Sequence, residues 1–112
     1  MKTNKDWFAL PLMCMAFAAQ ADTVIDTQIT KVYVQSQSDG NSNAHLIQIA
    51  ATTSSTCSWN RLYIDFADKD LLASALANYL AGNAVSVLYT TTATARTAGG
   101  HVTTTCRVTS IF

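Results

Sequence analysis

The sequence predicts a mainly β domain with one helix, in the order βββαββ. Three observations carry that expectation. Runs of β-branched residues alternate with polar ones, one alanine- and leucine-rich stretch between Asp68 and Gly82 has helical period, and breaks rich in glycine and asparagine separate the runs.

From Val24 to Gln37, "VIDTQITKVYVQSQ" alternates, with Val32 and Val34 on one face and Ile29 and Tyr33 on the other. Fully extended, such a run reaches roughly 46 Å, too long for a flat strand in a small domain, so it must curve or break. "SDGNSN" supplies turn chemistry, because Asp-Gly and Asn tolerate positive φ. "AHLIQIAAT" then returns as a second strand. After the loop "TSSTCSWN", the run "RLYIDF" alternates Leu62, Ile64 and Phe66 with Arg61, Tyr63 and Asp65 as a third strand.

Asp68 is placed to cap a helix that runs to about Ala81, Asp70 favours its positive end, and Gly82 closes it. At 100° per residue Leu72, Leu76, Tyr79 and Leu80 form the expected buried face, with Ala75 at its margin. The opposite side carries the short side chains Ser74, Ala77 and Ala81. "AVSVLYTTTATA" and "HVTTTCRVTSIF" read as strands four and five joined through "RTAGG", with Val85, Val87 and Tyr89 inward. A long curved first strand, a meander, a helix between strands three and four and a closing pair make the plan of an OB-fold-like five-stranded barrel. An α+β sheet with one packed helix is the alternative.

The beginning of the chain has the form of an export signal. Lys2 and Lys5 precede an apolar run from Phe8 to Ala19, and Ala19-Gln20-Ala21 has the small-x-small pattern that signal peptidase accepts. Cleavage after Ala21 is expected, which leaves one domain over 22–112 in the periplasm or outside the cell. The run is shorter than the about 20 residues that span a bilayer. Cys14 does not mark a lipoprotein, because bulky Met13 precedes it and the apolar run continues past it. Cys57 and Cys106 remain, and an even pair in an exported chain predicts a disulfide. Closing so long a loop contributes on the order of 4 kcal/mol in the chain-entropy model.

Seven basic and seven acidic residues give zero net charge with no basic cluster, which excludes the electrostatic footprint of a nucleic-acid binder. Threonine runs such as "TTTATARTAGGHVTTTC" mark strand surfaces, because valines and a tyrosine are interleaved with them. His45 and His101 lie in no ligand-spaced motif, and Asp65, Asp68 and Asp70 lack the glycine and terminal glutamate of a calcium loop. No nucleophile elbow, zinc-protease, phosphate-loop or dinucleotide pattern occurs. The expectation is therefore no catalytic residue, no metal and no cofactor. Trp59 is expected to cover the disulfide, with stacking on a sugar or anchoring of a partner as the alternative. Loops carry binding sites on such a fold, so the candidate surface comprises Asp39, Asn41, Asn43, Trp59, Asn60, Arg96 and His101.

The run "CSWNRLYIDFADKDLLASALANYLAGNAVSVLY" resembles the middle of small exported bacterial proteins of unknown function. It is also similar in plan to B subunits of AB5 toxins of the subtilase-cytotoxin and typhoid-toxin type, where a helix ends at a glycine before a "VxIxY"-like strand. That resemblance implies ring pentamers that bind cell-surface glycans. Its sugar-contacting residues have no recognisable counterparts here. The functional expectation is a non-enzymatic exported module that binds a glycan or another exported protein, and a small periplasmic enzyme or enzyme inhibitor is the alternative. Ser74, Ala77 and Ala81, together with a weakly protected strand edge between Ala84 and Thr94, predict a homo-oligomer.

Overall fold

A computed structural model describes residues 23–54, 57–100 and 102–112. The expected signal segment and His101 lie outside the described residues. Strands β1 (Thr23–Tyr33), β2 (His45–Ile49) and β3 (Arg61–Ile64) precede helix α1 (Lys69–Ala81), and β4 (Ala84–Ala98) and β5 (Val102–Ile111) follow it. Among the described residues the five strands and one α-helix come in the expected order. No helix among the described residues is long and apolar enough to cross a membrane, which says nothing of strands.

Of the two outcomes its length allows, curving or breaking, the first strand changes partner and slips in register. Thr23–Gln28 pairs with β4, whereas Ile29–Tyr33 pairs with β2, and the register slips between Ile29 and Lys31. An extra residue at a bulge moves the side-chain phase by one. Ile25, Thr27 and Ile29 therefore face inward before the slip and Val32 after it, so Val32 joins Ile29 in one core and Tyr33 faces the other way. The strand ends at Tyr33 and not at Gln37. There the Gln35 N–H turns from the sheet to His45 Nδ1 at 3.0 Å.

Two apolar clusters result. The main one gathers Ile29, Ile47, Ile49, Leu62, Ile64, Val85, Val87, Tyr89 and Val108 around the buried Cys57–Cys106 disulfide, which forms as expected. The smaller one, Ala44, Leu46, Tyr63 and Ala98 with Tyr33 and Val102, lies on the other face of β2 and β3. Thus β2 is buried on both faces, and the end of the long β4–β5 hairpin covers its second face.

The strand neighbours run β1-β2-β3-β5-β4 and return to β1. The joins are unequal. Four are antiparallel ladders, whereas β3 meets β5 in parallel through the single register pair Tyr63 and Arg107. Beside that pair the Thr104 hydroxyl donates to the Arg61 carbonyl at 2.8 Å, a side chain standing where a backbone ladder bond would be. The OB-fold-like barrel, and with it the AB5 toxin B-subunit architecture, is corrected on this ground. The fold is a five-stranded mixed sheet with one packed helix, whose ends meet at a one-pair seam and not in a continuously laddered barrel. With four residues, β3 is too short to build a ladder on both sides.

Two further expectations are corrected. The edge between Ala84 and Thr94 is not free, because Ala84–Tyr89 pairs with β1 and Val87–Thr91 with β5. "RTA" belongs to β4 and not to the loop: Ala98 pairs with Val102, and Gly99 and Gly100 reverse the chain at φ 64° and 75°, where a glycine has no steric penalty.

The helix is rotated from its expected setting. Leu71, Leu72 and Ala75 meet the core, Leu76 is half-buried, Tyr79 is exposed and Leu80 is 80 % exposed. Asp68 is the N-cap by position, yet its side chain makes no capping bond and instead accepts from Arg107 Nη2 at 3.3 Å. That tie links the first turn to β5, and Leu71 and Leu72 of the same turn pack on the core. Gly82 closes the helix at φ 69°, and Asn83 N–H reaches back to the Asn78 carbonyl at 3.1 Å, as a Schellman motif requires. Ala75→Asp should destabilise by at least about 3 kcal/mol, because an unpaired charge would enter the core, whereas Leu80→Asp should change stability by less than about 0.5 kcal/mol. Urea denaturation of the two variants checks this facing.

Candidate binding surface

Three groups of candidate residues emerge, and they occupy different places. The first is the meeting of the β1–β2 loop with the tip of β4–β5. Asp39 accepts from Asn41 N–H at 3.0 Å and from the Ser42 hydroxyl at 2.8 Å. These two donors hold its carboxyl below the usual range, with the Asn41 N–H the stronger cause. Ser42 in turn accepts the Gly99 N–H at 2.7 Å. Asn43 copies a strand partner: its N–H donates to the Thr97 carbonyl at 3.0 Å, and its side-chain oxygen takes the Thr97 N–H at 2.7 Å. Arg96 donates to the Asn43 carbonyl at 3.2 Å, lies over the Tyr63 ring at 5.5 Å and approaches Asp65 at 4.0 Å. Asp39, Asn41, Asn43 and Arg96 are thus brought together, with the Asp39 carboxylate, the Asn43 side-chain oxygen and Arg96 Nη1 spent on holding the loop.

Beneath this loop lies His45. Its ring is buried, sits edge-on to Phe66 at 4.8 Å and offers Nδ1 to the Gln35 N–H. The proton of the neutral ring is therefore assigned to Nε2. Burial pushes its pKa down from 6.5.

The second group is the turn Ser58–Asn60. Trp59 is 79 % exposed, so it does not cover the disulfide, and the expected packing role is corrected. Its backbone stands at φ 57°, ψ 34°, followed by Asn60 at φ 58°. A bulky residue in the left-handed region is an outlier. The turn is held from both sides: Cys57 is bonded to Cys106, and the Asn60 side-chain oxygen accepts both the Thr53 N–H at 2.9 Å and its hydroxyl at 3.1 Å. Cys57 lies next to this turn, so the covalent bond sets where the indole stands.

The third group was missed in the sequence. On the outer face of β1, β2 and β3 stand Lys31, Gln48 and Arg61 in one row, with Tyr33, Leu46 and Tyr63 in the next. The signal was present as the spacings Lys31-x-Tyr33, Leu46-x-Gln48 and Arg61-x-Tyr63, each of which puts two side chains on one strand face. Only the register shows that the three faces coincide.

Ser74, Ala77 and Ala81 lie along one side of the helix at unequal exposure. Ala77 and Ala81 are exposed, but Ser74 is half-buried and accepts from Asn78 Nδ2 through its carbonyl and its hydroxyl. An open groove lined by Asp26, Thr27, Gln28, Ala50, Ala51 and Ala84 holds none of the candidate residues, and its one carboxylate accepts from the Ser86 hydroxyl at 2.6 Å. Among the described residues no three His, Cys, Asp or Glu side chains gather as a metal site would need.

Comparison with protein-family models, curated proteins and solved structures finds no match for this chain. The toxin resemblance thus gains no support from relatives, and the surface must be read from its own chemistry.

Because the unfolded chain binds the His45 proton more readily than the folded one, stability is full above pH 6.5 and is lost as pH falls below it. The urea midpoint should fall between pH 7 and pH 5, and His45→Gln should flatten that fall. An unchanged slope in the variant would remove His45 as its cause.

Proposed function

We propose that this protein is a non-enzymatic, exported glycan-binding module whose anchor is Trp59. The observation that carries the reading is a tryptophan 79 % exposed on a left-handed backbone. Such a backbone costs of order 1–3 kcal/mol and persists only where the surroundings hold it. Here the disulfide and the Asn60–Thr53 bonds hold it, and the indole they present is wet. A flat indole face pairs with the C–H face of a sugar ring and its N–H with a hydroxyl. The exposed Ser58 and half-buried Thr53 and Asn60 beside it supply polar groups suited to sugar hydroxyls. An apolar pocket on a protein partner would find fewer complements in that rim.

Export to the periplasm or beyond belongs to the same proposal and is supported by the Lys2 to Ala21 pattern together with a buried disulfide. The enzymatic alternative needs His45 or His101 to meet Asp65, and His101 lies outside the described residues. His45 has Nδ1 engaged and its ring buried, and Asp65 accepts from Ala67 N–H and lies near Arg96.

Self-association through the helix is also part of the reading. Ala77 and Ala81 are exposed small residues, and Tyr79 and Leu80 stand exposed on the same helix. Analytical ultracentrifugation at tens of micromolar should show an oligomer that Ala77→Arg weakens; a monomer at that concentration removes self-association and leaves Trp59 untouched.

The anchor is tested by Trp59→Gly on a glycan array. Glycine accepts φ 57° without strain, so the variant should gain about 1 kcal/mol of stability while losing glycan binding by at least about tenfold. Binding retained at the wild-type level would overturn the reading.

A further inference from the structure

We infer that the outer face of β1, β2 and β3 holds an oxyanion site formed by Lys31 and Arg61 across Gln48. The register sets Lys31 opposite Gln48 and Gln48 opposite Arg61. Adjacent strands lie about 4.8 Å apart, so the two cationic residues start roughly 10 Å apart. Their charged heads converge on one ring: Lys31 Nζ stands 5.0 Å from the centre of Tyr33, and the Arg61 guanidinium carbon 5.8 Å from it. Tyr33 is fixed in turn, because its hydroxyl donates to Gln48 Oε1 at 3.3 Å. That bond leaves the Gln48 amide N–H groups as donors on the same row.

The charge balance around this ring separates it from the other two described arginines. Arg96 lies near Asp65 and Arg107 meets Asp68. Neither Lys31 nor Arg61 has a carboxylate within 4.0 Å among the described residues, and the buried Arg61 Nε donates to no group there. Two like charges drawn to one ring repel each other, and the ring quadrupole offsets only part of that. A bound oxyanion removes the repulsion and accepts from the ammonium, the guanidinium and the Gln48 amide together. Charge-assisted bonds of this kind are the strong ones, and a guanidinium matches a carboxylate, sulfate or phosphate in two-point fashion.

The site adjoins the Trp59 turn, because the Arg61 N–H donates to the Ser58 carbonyl, but it uses no side chain of Ser58–Asn60. Its ligand is a single oxyanionic group, either free or borne on an acidic saccharide. The test titrates the protein, at low ionic strength, with sodium sulfate, with an oligogalacturonate and with an uncharged oligosaccharide of the same length, followed by amide NMR. Sulfate and oligogalacturonate should shift the Lys31, Gln48 and Arg61 amides saturably, and the uncharged sugar should not. Oligogalacturonate binding about tenfold tighter than sulfate assigns the group to a saccharide, and equal binding assigns it to a free ion; both support the site. Lys31→Gln and Arg61→Gln should each weaken sulfate by at least about fivefold and jointly abolish saturation, with thermal unfolding close to wild type. Lys69→Gln and Trp59→Gly should leave sulfate binding unchanged. No saturable shift at these three amides, or shifts that survive the double substitution, would overturn the site.

Discussion

The Cys57–Cys106 bond crosses the join of the sheet that has the fewest backbone pairs. Where β3 meets β5 there is one register pair and one side-chain hydrogen bond. The disulfide ties the turn before β3 to the middle of β5 over a separation of 49 positions. Such a closure removes chain entropy worth about 4 kcal/mol from the unfolded state. That is a large share of the stability of a domain this size, commonly 5–15 kcal/mol. Both sulfurs are buried in the main cluster, so the same bond that closes the seam also fills the core beside Leu62 and Val108.

Its second consequence is positional. A short turn that starts from a cross-linked cysteine and ends on a strand has little freedom, and Trp59 and Asn60 take left-handed backbone within it. Asn accepts that conformation readily, but Trp does not. The strain is tolerated because Asn60 also binds Thr53 and the covalent bond fixes the other side. An apolar side chain is thereby held in water by interactions that lie wholly beneath it, an arrangement that costs stability and presents a rigid face.

The outer face of β1 to β3 depends on the other structural choice, the length of β4. Continued to Ala98, β4 carries the hairpin tip over Leu46 and Tyr63 and buries one end of that face. The other end, with Lys31, Gln48 and Arg61, stays outside the cover. A shorter hairpin would have left Leu46 and Tyr63 in water. The Asn43 bridge to Thr97 and the Ser42 contact to Gly99 secure the tip, and His45 props the loop that carries them.

The sequence by itself determined the number, type and order of the elements, the inward positions Val85, Val87 and Tyr89, the helix stop at Gly82 and the disulfide, because each rests on local period, glycine conformation or cysteine count. It also showed that the first strand must curve or break, since its length forbids a flat run. Only the tertiary structure decided where the bulge falls, which turn of the helix meets the core, and that the sheet joins at a one-pair seam in place of a laddered barrel. Of the candidate residues, Asp39, Asn41 and Asn43 were legible as turn chemistry, but their bonds to β4, and the place of Arg96 within that strand, were not. The exposure of Trp59 and the row of Lys31, Gln48 and Arg61 were beyond reach for one physical reason. Strand register and side-chain exposure are set by partners distant in the chain, and a one-residue slip reverses every face.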